Sequence, residues 1–366
     1  MTRRIRPFRC ALTLVGALTI AAPHAVAQSF PTGPAVERAL HDTTLVTQIP
    51  GRWVVKHVTF NSKLTRAELT AVTPVLGRIG ALLHTALGTL PGVEADVAQN
   101  AEWYATPDGA HVAGGTVDVK LWPYSVQKGK LVFFNSASQA LFDVNHTVCV
   151  GDAAFDGHLG FIFAPQRTGS FHGFPMLDST IVITHRSQPP CLPVSRAEVL
   201  QALAREIAEG AATADSMMKA SAAERERGLT ELAKSNPAAA ANARTELAHM
   251  QHVADSARRS AQTMLTNALD RMSPAERASP AYLSKSSCHG GDDISACFVG
   301  RDVPDARAIV RENPAFFDMT RPTEPQLITL SIKQLYDASA IGDYPSHVMH
   351  DALERLDWAA LGAMVH

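Results

Sequence analysis

Pro193–Pro237 reads "PVSRAEVLQALAREIAEGAATADSMMKASAAERERGLTELAKSNP", and this stretch decides the architecture. Ser195 with Glu198 has the spacing of a capping box, so a helix is expected to begin there. Leu200, Leu203, Ile207, Ala211, Ala214 and Met218 recur at steps of three and four, and Leu229 and Leu232 resume the stripe after the charged "ERER". Asn236–Pro237 ends one helix and starts another. Proline is tolerated at the first helical position, and asparagine caps it. Beyond the turn, Leu247, Met250, Ala254, Ala257, Ala261, Met264 and Ala268 alternate steps of three and four, the pattern of a heptad seam. Two long helices joined by so short a link run antiparallel. The expectation is a helical hairpin over residues 193–278, an arm of roughly 55 Å at 1.5 Å per residue. In it, Leu229 and Leu232 are expected to meet Leu247 and Met250 near the tip, with Leu203 and Ile207 facing Met264 and Ala268 near the base.

Outward from the arm the composition changes. Residues 28–192 read as a mixed, strand-rich region. "RWVVKHVTF" has the β-branched and aromatic content of a strand. "TRAELTAVTPVLGRIGALLHTALGTL" follows as a helix, with Thr65 and Glu68 as a second capping box. Pro74 is expected either to kink this helix or to restart it from Thr73. "TVDVKLW", "KLVFF", "ALFDVNHTVCV", "HLGFIFA" and "STIVITHR" are further strands, with "QKGK" as a hairpin turn. Residues 279–366 hold strands "RAIVREN" and "PQLITLSI", then one or two closing helices with Val348, Ala352, Leu353 and Leu356 inward. A helix beside consecutive strands, then helices, then strands again, gives an α+β fold.

The first 27 residues read as a signal peptide: four arginines without an acid, twelve apolar residues, then small residues up to Ala27. Twelve apolar residues are too few for a membrane span, which needs about 20. Cleavage is expected to leave Gln28 first, in a periplasmic or secreted protein. The chain has 33 Lys+Arg and 35 Asp+Glu; without the four leader arginines this becomes 29 against 35, or −6. A mildly acidic chain with no basic block is a poor fit to nucleic acid or to anionic membranes.

Five cysteines occur, and Cys10 leaves with the leader. Four remaining in an exported chain imply two disulfides, and the sequence-local pairing is Cys149–Cys191 with Cys288–Cys297. "CHGGDDISAC" then reads as a stapled hairpin tip turning at Gly290–Gly291. A zinc site there would need both thiolates and His289, which export disfavours.

Candidate chemistry concentrates in "DVNHTVCVGDAAFDGH", with Asp143, Asn145, His146, Asp152, Asp156 and His158, and His172 close by in sequence. Carboxylates and imidazoles suit a divalent metal or acid–base work, and Asp152, Asp156 and His158 are the metal set of that reading. The bland alternative is solvated loop polarity. Asn145-His146-Thr147 is also a glycosylation sequon. His249 and His252 share a helix face off the seam, a solvated face rather than a site; His347 and His350 repeat the spacing near Asp343 and Asp351. No nucleophile elbow, Ser-x-x-Lys, His-Glu-x-x-His, phosphate loop or dinucleotide fingerprint is present. No cofactor is implied.

"PVSRAEVL", "SPAYL", "ARAIVRENPAFFD" and "PQLITLSI", in this order, resemble segments of exported bacterial proteins that carry no assigned activity. The resemblance implies one continuous architecture from Pro193 onward and contributes no catalytic residue. The leading expectation is an exported, non-catalytic binding or interaction module that offers the arm to a protein partner. The alternative is an exported metal-dependent hydrolase using the 143–172 cluster.

Overall fold

The structure is a computed structural model. It describes residues 30–366 apart from 107–108, 134–137, 147–148, 150–151, 155–158, 285–296 and 335–343. The fold is α+β, and among the described residues two sheets organise it.

The chain opens with α1 (Pro34–His41) and a short 3₁₀ turn, Thr43–Gln48, then β1 (Arg52–Phe60), α2 (Arg66–Leu87) and β2 (Val93–Ala105). β1 and β2 pair in parallel, so α2 is the crossover between them. Thr65 caps α2 and forms the full capping box with Glu68. The helix runs unbroken through Pro74, while the Thr73 hydroxyl bonds the Leu69 carbonyl instead of starting a new helix. An interior proline costs about 3 kcal/mol. Burial of Val72, Leu76, Ile79, Leu83 and Leu87 on the sheet outweighs it, at roughly 1.5–3 kcal/mol for each large side chain.

β3 (His111–Gln127) turns through Lys128 and Gly129, both at positive φ, into β4 (Lys130–Phe133), the hairpin expected at "QKGK". β5 (Ser138–Val144), β6 (Phe161–Phe163), β7 (Arg167–Phe171), β8 (Phe174–Leu177), β9 (Thr180–Ile183) and β10 (Cys191–Pro193) follow. The arm comprises α3 (Arg196–Ala220), α4 (Ala222–Ser235) and α5 (Pro237–Arg271). After α6 (Pro274–Ala278) come β11 (Tyr282–Ser284), β12 (Ala306–Glu312), β13 (Ile328–Gln334), α7 (Tyr344–Arg355) and α8 (Trp358–Gly362).

β13 sits between β5 and β9, in the order β1-β2-β3-β5-β13-β9-β8-β7. A strand from the C-terminal region is thus central in the sheet built by the N-terminal region, and the two share one core. α2, α7 and α8 cover one face of that sheet through Leu83, Phe142, Ile183, Leu330, Met349, Leu353 and Trp358. The other face carries polar rows, closed at its ends by an α1 cluster around Ile49 and Tyr124 and by Phe316 and Phe317.

The second sheet runs β10-β12-β11, with β6 also on β12, and α3 packs Val199 and Ala202 onto it. Cys149 and Cys191 form a disulfide with Cα atoms 5.5 Å apart, tying the segment after β5 to β10. Cys297 is buried and disulfide-bonded; its expected partner Cys288, with His289 and the Gly290–Gly291 turn, lies outside the described residues.

The arm is the expected antiparallel hairpin. Asn236 caps α5 by accepting from the Ala239 amide, with Pro237 in the first turn. Arg244 bonds Glu226 at 2.8 Å and Arg258 lies 3.6 Å from Asp215, which fixes the register. Leu200, Leu203 and Ile207 pack with Leu265 and Ala268 at the base. The expected seam needs correcting. Met250, Ala254, Ala257 and Met264 are exposed, and Arg258, Ala261, Leu265 and Ala268 turn inward. The tip contacts shift as well: with Glu226 level with Arg244, Leu247 lies level with Ala223 rather than with Leu229. Leu232 is exposed beside inward-turned Ala233. The long first helix also breaks at Ser221, whose hydroxyl bonds the Met217 carbonyl.

Candidate functional site

The polar set of residues 143–172 disperses in space. Asp143 stands on β5, where its Oδ1 lies 3.1 Å from His146 Nδ1. The His146 ring stacks on Tyr104, centroids 4.1 Å apart. Burial, followed by the charges of Glu102 and Asp143, raises the Tyr104 phenol far above its ordinary range, and its hydroxyl meets no hydrogen-bond partner among the described residues. Glu312, level with Cys191 on the neighbouring sheet, is half-buried; burial raises its carboxyl, with His146 opposing. In this corner Asp143 and Tyr104 together fix the orientation of the His146 ring. Among the described residues, no group of three His, Cys, Asp or Glu side chains is arranged to hold a metal ion.

The other members take separate posts. Asn145, at φ 53° and fully buried, donates to the Ala113 and Glu324 carbonyls at 3.0 and 2.8 Å and accepts from the Gln326 and Leu327 amides at 2.8 and 3.2 Å. Every polar atom of that side chain is used to hold the 324–327 segment, so the sequon asparagine has no exposed amide. Asp152 lies 3.3 Å from Arg307 on the second sheet, and the same guanidinium reaches Asp178 at 3.4 Å. Asp156 and His158 lie outside the described residues. His172 occupies the tight β7–β8 turn at φ 47°, three strands from β5. There it stacks on Trp358 and bonds Glu354 at 3.0 Å, while His350 stands 3.9 Å from the other Glu354 oxygen. His347 and His350 are exposed, and Asp343 is outside the described residues. His249 and His252 are exposed, as expected.

Sequence reasoning missed Tyr104 and Glu312. Both lie on strands whose partners come from elsewhere in the chain, so no local spacing joins them to His146.

The arm presents the other candidate surface. Met217, Leu232, Met250, Val253 and Met264 are all exposed, Met217 at 66% and Met250 at 51%. Met217, Leu232 and Met264 each precede an inward-facing residue (Met218, Ala233, Leu265) by one position, a rotation of about 100° in the same sense. On antiparallel helices, equal rotations along each chain's own direction turn side chains to the same side of the pair. Met250 and Ala257 share that side with Met264 at seven-residue spacing, and Val253 lies between them. The opposite side carries the Glu226–Arg244 pair and Asp215. One side of the arm therefore gathers the large apolar side chains, and the other carries the inter-helix ion pairs.

Fold and surface together define an α+β body carrying a two-helix arm with an apolar side. Compared with known proteins, the chain matches no family model, no curated protein and no solved structure. Among the described residues no helix is long and apolar enough to cross a membrane.

Proposed function

We propose that this is an exported, non-catalytic interaction module whose arm is the binding element. One observation carries the reading: five large apolar side chains stand exposed on a single side of the arm. Singly scattered surface apolar residues need no explanation, but five large ones gathered on one side of an arm mark an interaction surface. Anchorage supports the same reading. The base is built into the second sheet through Val199 and Ala202 of α3, and Leu265 and Ala268 of α5 pack on Leu200 of α3, so the body anchors the arm. Export rests on the leader, with the Cys149–Cys191 bridge compatible with an oxidising compartment; mass mapping of the released protein should find Gln28 first.

The test is site-specific photo-cross-linking in the producing cell. A photoreactive residue at position 250, on the apolar side, should give adducts, and one at position 262, on the ionic side, should give none. Equal labelling from both positions, or none from 250, overturns the reading.

A further inference from the structure

The arm is not closed on itself. Among its described residues beyond the base, Ala240 is the one buried side chain, and α4 has none. Two helices alone enclose no core, whereas four do. We propose that the arm pairs with the arm of a second copy of this chain, antiparallel about a twofold axis, to form a four-helix bundle. The proposal rests on the reading of the arm as the binding element and names its partner.

Three features favour a second copy over another occupant. The first is self-complementarity. The Glu226–Arg244 and Asp215–Arg258 pairs place Leu232 level with Ala240 and Met217 level with Asp255. A twofold axis across the strip at the level of His252 then lays α5 on the partner's α5, with Val253 beside the partner's Val253. It brings Leu232 to the level of the partner's Met264 and Met217 to that of the partner's Met250, so each level of the bundle collects large apolar side chains from both copies. A closed twofold contact of this kind requires one patch to be its own complement.

The second feature is area. The strip spans about 24 residues of helix, or about 36 Å, and a helix pair is about 20 Å wide, giving about 700 Å² per copy. A stable interface buries about 800 Å² per partner. The third is charge. The acids on the apolar side, Glu224 and Glu246, lie at one level along the arm. The axis carries the partner's Glu224 and the partner's Glu246 about 15 Å away, beyond a Debye length of about 8 Å. Small residues such as Gly228 and Ala257 leave room for close approach.

The experiment is sedimentation equilibrium on the whole mature protein. Wild type is expected at twice the chain mass at about 10 µM. Met250→Glu with Met264→Glu, at exposed positions, is expected at the monomer mass, weakened at least 100-fold. Gln262→Glu on the ionic side should leave the dimer intact, and all three should show equal helicity by circular dichroism. As a readout independent of the charged variants, Val253→Cys, which the axis sets beside the same residue of the partner, should form an inter-chain disulfide. A wild type monomeric at about 100 µM, or a dimer that survives the double variant with its helicity intact, overturns self-pairing. A monomer whose position 250 still cross-links to a different protein overturns self-pairing and leaves the arm reading standing. No adduct from position 250 overturns both.

Discussion

Replacing Asn145 by alanine should cost about 4 kcal/mol of stability, and the figure follows from its four hydrogen bonds. The side-chain oxygen accepts from the Gln326 and Leu327 amides, both within 3.2 Å. Leaving a buried donor without a partner costs about 1–3 kcal/mol, so the two amides account for about 2–6. Alanine at φ 53° adds about 1 kcal/mol, because it meets the left-handed penalty without the short polar side chain whose local hydrogen bonds let asparagine tolerate that region. The two carbonyls that lose a donor, of Ala113 and Glu324, contribute less, since each keeps a second lone pair for another partner. The assay is equilibrium urea unfolding of the oxidised mature protein followed by tryptophan fluorescence. With a slope of about 3 kcal/mol per molar for a chain this size, the midpoint should fall by about 1.3 M at unchanged slope. Asn145→Gly relieves the backbone strain and keeps the lost bonds, so it should recover about 1 kcal/mol of the deficit. An alanine variant within about 0.5 kcal/mol of wild type would refute the account. It would return Asn145 to the surface-polar reading that its sequence neighbours suggest.

Cys149→Ala with Cys191→Ala, which opens a bridge closing a separation of 42 residues, should lower stability by about 4 kcal/mol, read as the difference between the unfolding curves of the oxidised wild type and the oxidised variant. Glu312→Gln tests the sign of the burial effect. A carboxyl raised by burial stabilises the fold below its ordinary titration range and loses that contribution as pH rises through it. The variant should therefore match wild type near about pH 4 and unfold at a higher temperature near about pH 8; an equal shift at both pH values would contradict the assignment. Asn236→Ala removes the acceptor for the Ala239 amide and should cost about 1 kcal/mol, seen as early fraying of the arm tip in hydrogen exchange with the body unaffected.

Local chemistry was legible from residues alone. Thr65–Glu68 and Ser195–Glu198 are capping boxes because each satisfies its amides within four residues. Asn236–Pro237 had to end one helix, because proline lacks the amide that a continuing helix needs. Lys128–Gly129 turns a hairpin for equally local reasons. β2 was hidden. Its inward Val93, Ala95, Val97 and Ala101 alternate with Glu94, Asp96 and Asn100, and the alanines give little strand preference until α2 covers them.

The rotation of the arm could not be read either. A seven-residue repeat fits Met250, Ala257 and Met264 as well as Gln251, Arg258 and Leu265, since the two sets flank the same line by about 50° each. Alanine at the intervening positions has no bulk to break the tie. Leu265 against Leu200, and Arg258 against Asp215, break it from the other helix. That choice sends the methionines outward and makes the apolar strip. The fate of the 143–172 set was decided the same way. Neighbours within a loop diverge once Asp143 is fixed by its strand, Asn145 by the 324–327 segment and Asp152 by Arg307. Sequence determined the elements whose partners lie within a turn or two. Tertiary structure decided whatever depends on a partner brought from a hundred residues away, because only the packed fold supplies it.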